Sequence, residues 1–159
     1  MPRSGKSADP PTLAEARQIA LKLLARREHS PGEMREKLER KRCPAEIAGQ
    51  VIQRLIAERL LSEERFVEGY VQARRRRGYG PVRIREELRQ RGVGKDIIGP
   101  SLDAGSREWL EDLRRVRRKK FGAKMPGDFS ERARQARFLQ YRGFTAEQIQ
   151  KVLSSRDTD

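Results

Sequence analysis

Pro31-Gly32-Glu33-Met34-Arg35-Glu36-Lys37-Leu38 returns fifty residues on as Pro81-Val82-Arg83-Ile84-Arg85-Glu86-Glu87-Leu88. The correspondence continues without a gap, Cys43 and Ile47 answering to Val93 and Ile97. A fainter third copy sets Leu139, Gly143, Phe144 and Leu153 about fifty-one residues beyond Leu88, Gly92, Val93 and Leu102. In both strong copies proline stands at the first helical position, where its missing N–H does no harm. A repeat of this length means one small helical unit used three times, and such arrays make surfaces rather than pockets.

Working outward from these stretches, each helix start carries its own signal. Thr12 with Glu15, Ser30 with Glu33, Asp128 with Glu131 and Thr145 with Gln148 have the spacing of a capping box, and Ser62 caps a further helix. Leu13, Ala16, Ala20, Leu23 and Leu24 form an apolar stripe to about Glu28. After Cys43-Pro44, a third helix carries Ile47, Val51, Ile52, Leu55, Ile56 and Leu60 on its expected buried face. Phe66, Val67, Tyr70 and Val71 mark a fourth, and Gly78-Tyr79-Gly80-Pro81 breaks the chain before the second copy. Ile97, Ile98 and Leu102 follow; Trp109, Leu110, Leu113 and Val116 then open the third copy. No segment alternates with period two, so no sheet is expected. The predicted fold is all-α: three tandem three-helix repeats at 12–61, 62–105 and 106–155, forming an elongated, curved array. A disordered tail at 1–11 and a short tail at 156–159 flank them.

Hydrophobic residues make up 35% of the 159 and charged residues 38%, with nine aromatics. One thick core is excluded by the cost of burying so much charge, and thin layers with one apolar stripe per helix fit better. The net charge of +14 is uneven. Through Gly69 there are 14 basic and 11 acidic residues, a net of +3; from Tyr70 there are 23 and 12, a net of +11. A polyanion or an acidic protein surface is the natural partner of the second part.

Clusters of cations fall at repeat-equivalent helix ends: Arg26 and Arg27, then Arg74, Arg75, Arg76 and Arg77, then Arg117, Arg118, Lys119 and Lys120. One arginine would suffice to complement a helix C-terminus, and four suggest a partner that matches guanidinium forks, such as phosphate or carboxylate. Were the repeats to stack, these segments would form a ridge. Tyr79, between two glycines beside the arginines, has two roles open to it: stacking on a base or closing the loop against a neighbouring helix. Trp109, Phe66 and Tyr70 fit a core.

Chemistry of other kinds finds little support. Cys43, the lone cysteine, admits no internal disulfide and occupies an apolar position of the repeat. His29, the lone histidine, sits at a helix end and suits the carbonyls there. Gly92-Val93-Gly94-Lys95 echoes a phosphate loop, but Asp96 stands where a magnesium-holding hydroxyl belongs and no strand precedes it. The expectation is no enzyme, no cofactor and no metal. Without an apolar run of about 20 residues or a signal-peptide core, a soluble cytoplasmic protein is expected.

Ala20-Leu21-Lys22-Leu23-Leu24-Ala25-Arg26-Arg27-Glu28-His29-Ser30 and Glu33 to Leu38 resemble the RecX family of bacterial regulators of the RecA recombinase. The second copy carries the resemblance further, from Arg65-Phe66-Val67 through Arg74-Arg75-Arg76-Arg77-Gly78-Tyr79-Gly80-Pro81 to Arg85-Glu86-Glu87-Leu88-Arg89-Gln90-Arg91-Gly92-Val93. It spans roughly Leu13 to Leu153. It implies a protein that lodges in the groove of the RecA filament on single-stranded DNA and contacts several protomers; a monomer is expected. It implies suppression of strand exchange, ATP hydrolysis and co-protease activity in the SOS response, and affinity for DNA itself, single-stranded first and double-stranded as a further candidate. The competing reading is an autonomous DNA-binding protein with one helix per unit in the major groove. A general helical scaffold is a third, and would leave the basic bias incidental.

Overall fold

The computed structural model describes residues 9–154. Residues 1–8 of the expected N-terminal tail, and all of the expected tail at 156–159, lie outside them. The described residues form nine helices and no strand: α1 Leu13–Arg26, α2 Pro31–Arg40, α3 Ala45–Ala57, α4 Glu63–Arg76, α5 Pro81–Gln90, α6 Lys95–Ser101, α7 Arg107–Phe121, α8 Phe129–Arg142 and α9 Ala146–Ser154. The all-α reading in three-helix repeats holds. None of these helices is long and apolar enough to cross a membrane.

The starts follow the local code. Backbone N–H groups of Glu15, Glu33, Arg65, Glu131 and Gln148 donate to the side-chain oxygens of Thr12, Ser30, Ser62, Asp128 and Thr145 at 2.7–3.2 Å. At α9 the box is reciprocal, since Gln148 Oε1 accepts from the Thr145 N–H at 2.9 Å.

The helix ends repeat even more faithfully. After α2, α5 and α8 the chain enters positive φ at Arg42 (60°), Gly92 (82°) and Gly143 (99°). The next N–H then reaches back five residues: Cys43 to Leu38 O, Val93 to Leu88 O and Phe144 to Leu139 O, at 3.1–3.2 Å. Arg59 and Gly78 close α3 and α4 in the same way. This left-handed stop satisfies carbonyls a helix end would otherwise orphan, and it seats the following apolar residue in the core. It accounts for glycine at this position in two of the three copies and for Cys43, Val93 and Phe144, all buried, at the next.

Two compact units divide the chain, one through Phe66 and one from Val67, the boundary falling inside α4. In the first, α1, α2 and α3 pack on one another around Ala16, Ala20, Met34, Leu38, Cys43, Ala48, Val51, Ile52, Leu55 and Leu61. On α3 the buried set is Ala48, Val51, Ile52 and Leu55, an i, i+3, i+4, i+7 stripe. Ile56 and Leu60, expected on that face, fall outside it and are 43% exposed.

His29 is buried beside this core. Its Nδ1 lies 3.0 Å from the Arg27 carbonyl oxygen and its Nε2 2.8 Å from Lys37 Nζ. A neutral imidazole satisfies both contacts, donating from Nδ1–H and accepting from the ammonium at Nε2. Burial lowers its pKa from the ordinary value, and the nearby charges of Arg27 and Lys37 reinforce this against the pull of the carbonyl and of Glu33.

In the second unit α7, α8 and α9 pack together and α5 packs on α6. Ion pairs tie α4 to both groups: Arg74 Nη2 to Glu87 at 2.7 Å, and Arg75 Nε to Asp112 at 2.7 Å. Backbones approach closely where the start of α5 meets the end of α8. Gly80 N–H donates to the Arg142 carbonyl at 2.8 Å and Val82 N–H to that of Gly143 at 2.9 Å. A Cβ at Gly80 would stand 2.5 Å from Gly143 backbone, and one at Gly143 would stand 2.4 Å from Arg83 Cβ. Only glycine fits either place.

Two expectations follow. Gly143→Ala destabilises by at least about 2 kcal/mol through overpacking and positive φ, whereas Arg42→Gly, which relieves a left-handed side chain without a clash, stabilises by about 1 kcal/mol; chemical denaturation distinguishes them. Because the folded chain resists protonating His29, stability is full above the unfolded pKa of about 6.5 and declines as pH falls through it. Urea unfolding at pH 7.5 and 5.5 should show that decline in the wild type, and a smaller one in His29→Gln.

Candidate functional site

The four arginines closing α4 divide into two pairs with different work. Arg74 and Arg75 are half-buried, Arg76 and Arg77 exposed. Arg74 reaches Glu87 and lies with its guanidinium carbon 4.0 Å from the centroid of Tyr79. Glu87 also accepts from the Tyr70 hydroxyl and from Arg83 Nε. Burial alone would raise the Glu87 pKa, but these three donors outweigh it and hold the carboxyl below its usual range. Arg75 forks onto Asp112 at 2.7 and 3.3 Å, touches Glu108 at 3.1 Å and lies 5.1 Å from the centroid of Trp109. Asp112 is 4% exposed, so Arg75 supplies much of the counter-charge that lets a carboxylate sit there.

Arg117 belongs with this inward pair. It is buried, and its guanidinium donates to the carbonyls of Ala123 and Lys124 and to Gln135 Oε1 at 3.3–3.4 Å. It therefore ties the loop after α7 to α8 and presents no free cation at the surface. Its neighbours Arg118, Lys119 and Lys120 are exposed.

What is left outside converges. Arg76, Arg77, Arg115, Lys119, Lys120 and Arg142 line an open cavity of about 360 Å³ whose remaining walls are Gly78, Val116 and Phe138. No carboxylate lines it. Among the described residues Arg76, Arg77, Arg118, Lys119 and Lys120 have no ion-pair partner. Arg142 donates to the Arg77 carbonyl at 3.1 Å, so it both closes α4 and turns positive charge toward the cavity. Phe138 meets Phe121 edge-on at 5.3 Å, with Lys120 Nζ 5.5 Å and Arg142 Cζ 5.2 Å from its centroid. Such a concavity suits a polyanion, with arginine forks for phosphate oxygens and a low-dielectric wall to strengthen them.

Tyr79 is occupied from within. Guanidinium carbons of Arg74, Arg83 and Arg142 lie 4.0, 4.2 and 5.2 Å from its ring centroid. Arg26 and Arg27 lie in the first unit; Arg26 is exposed and ends α1, whereas Arg27 pairs with Glu33 at 2.7 Å and donates to the Glu28 carbonyl at 2.9 Å. Cys43 is buried, which raises its thiol pKa. Arg83, Arg115, Phe138, Tyr141 and Arg142 were not singled out by the sequence reading. Repeat alignment offered one signal, since Arg142-Gly143 holds the place of Arg91-Gly92; the rest are brought in by folding.

Family models describe this chain in three consecutive stretches: the first, second and third three-helix domains of RecX match residues 16–55, 62–99 and 107–153. A Regulatory protein RecX of Pseudomonas fluorescens is 45% identical over 148 residues, covering 93% of this chain and 96% of its own. The Regulatory protein RecX of Halorhodospira halophila is 46% identical over 143 residues, covering 90% and 89%. The crystal structure of RecX from Lactobacillus salivarius superposes with a TM-score of 0.78 over 89% of this chain and 94% of that one; at 17% identity it speaks for the fold.

The division of the arginines predicts opposite phenotypes. Arg75→Ala strands Asp112 and costs about 3 kcal/mol, the low end for a broken buried pair because Arg115 still reaches that carboxylate at 3.0 Å. Arg76→Ala with Arg77→Ala changes stability by no more than about 0.5 kcal/mol per site. On single-stranded DNA the double variant should instead lower the slope of log K against log salt by up to about 1.4. Thermal unfolding and anisotropy titrations across salt check both.

Proposed function

The chain belongs to the RecX family of regulatory proteins, and from that premise we propose that it restrains the RecA recombinase by binding in the groove of the RecA filament on single-stranded DNA. The observation that carries this reading is the cavity walled by six cations and no carboxylate at the ends of α4, α7 and α8. Long-range attraction draws such a surface to a filament whose nucleic acid and acidic protein faces are both negative. Seated there, the helical body occupies the path of incoming duplex and resists the protomer movements that turnover requires. Strand exchange, ATP hydrolysis and co-protease activity fall together because all three need that groove or those movements.

Two units joined through one helix support contacts with more than one protomer, so modest contacts sum to a firm hold. Exposed cations in both units, Arg26 in the first and Arg76, Arg77, Arg118, Lys119 and Lys120 in the second, give each a share of the attraction. The role is regulatory rather than enzymatic. The protein acts as a monomer in the cytoplasm, with the filament as its partner and DNA as a second ligand.

RecA-driven ATP hydrolysis on single-stranded DNA at physiological salt tests the reading. Inhibition should set in below the protein concentration that coats free DNA, and substituting Arg76, Arg77, Lys119 and Lys120 by alanine should raise the concentration for half-inhibition by about tenfold or more, some 1.4 kcal/mol. Inhibition that only tracks affinity for bare DNA would favour the autonomous DNA-binding protein.

A further inference from the structure

Tyr141 is 75% exposed on α8, one residue before Arg142. A single exposed aromatic means little by itself. What distinguishes Tyr141 is its place at the open end of an alternating series of rings and guanidiniums. Arg142 links the wall of the basic cavity to Tyr79, at 5.2 Å from its centroid. Arg83 then lies 4.2 Å from the centroid of Tyr79 and 5.7 Å from that of Tyr141. Glu87 anchors Arg83 Nε at 3.2 Å. The Gly80–Gly143 contact fixes the backbone from which Tyr79, Arg83, Tyr141 and Arg142 all project. Three guanidiniums already surround Tyr79, whereas Tyr141 has one, at the longest of these distances, and faces solvent.

We propose that Tyr141 is a stacking platform for an unpaired base of single-stranded DNA, with Arg83 beside it and the neighbouring phosphates running toward the cavity that Arg142 borders. This deepens the polyanion reading of that cavity and rests on it. Alternating aromatic and cationic groups suit a chain that alternates flat bases with phosphates. The cations alone would suit phosphate or an acidic protein surface; the exposed ring beside them argues for nucleic acid, which alone pairs each anionic group with a flat base. A duplex keeps its base faces stacked inside, so this platform selects the single strand. Phosphate contacts would hold either form, and the ring adds the discrimination.

The test uses the full chain and three fluorescent probes of equal length: oligothymidylate, a strand of abasic sites, and a duplex. Wild-type protein should bind oligothymidylate more tightly than the abasic strand. Tyr141→Ala should weaken oligothymidylate binding about five- to a hundredfold, to the abasic level, and leave the abasic affinity and the salt slope unchanged. Tyr141→Trp should restore the preference for bases, and as the position is exposed all three proteins should unfold at similar temperatures. Equal wild-type affinity for oligothymidylate and abasic strands, or a preference that survives Tyr141→Ala, overturns the platform while the phosphate-binding cavity stands. No binding to any probe overturns both. Loss of filament inhibition in Tyr141→Ala with its strand preference intact also overturns it, and assigns the ring to a protein contact.

Discussion

Two backbone hydrogen bonds, from Gly80 and Val82 to the carbonyls of Arg142 and Gly143, hold the start of α5 against the end of α8 in the second unit. The first amides of one helix there meet the last carbonyls of another, so each end satisfies groups the other leaves orphaned, and the two helix dipoles meet head to tail. The approach is possible because neither contact residue has a Cβ. From it follow the positions of Tyr79 and Arg83 on one side and Tyr141 and Arg142 on the other. Without it the aromatic–guanidinium series would have no common frame, and Arg142 would not reach the Arg77 carbonyl that closes α4.

Charge is sorted by the same architecture. Beside the buried Val67 and Val71 of α4, the second unit uses Glu87 and Asp112 as anchors for Arg74 and Arg75. Neither carboxylate lines the cavity, and Asp112 engages just one of its cations, Arg115, at 3.0 Å, so among the described residues Arg76, Arg77, Lys119 and Lys120 stay without an ion-pair partner. Arg117 is withdrawn for a loop that needs its carbonyls satisfied. A run of similar residues thus becomes two classes, one engaged within the unit and one left exposed.

Much of the fold was legible because it is written in short-range patterns. Side-chain caps at Thr12, Ser30, Ser62, Asp128 and Thr145 all form as their spacing predicts. The fifty-residue correspondence survives into backbone geometry at Arg42, Gly92 and Gly143. Ile56 and Leu60 show the limit, as an apolar residue near a stripe need not lie on it. The site was legible as a region and not as a set of residues. Arg76, Arg77, Lys119 and Lys120 meet in the cavity, whereas Arg75 and Arg117 turn away from the surface for reasons held on other helices.

By itself, the chain's order of residues determined the helical class, the capped starts of five helices, the threefold use of one unit and the basic bias of its second part. These depend on neighbours within about five positions, on composition, or on the recurrence of the same short pattern about fifty residues on. Only the tertiary structure decided which arginines of α4 are ion-paired and which stay exposed, since that turns on carboxylates at positions 87 and 112 reached across helices. It also decided that Tyr79 is enclosed by guanidiniums and Tyr141 is left open, because ring exposure depends on how closely two backbones approach.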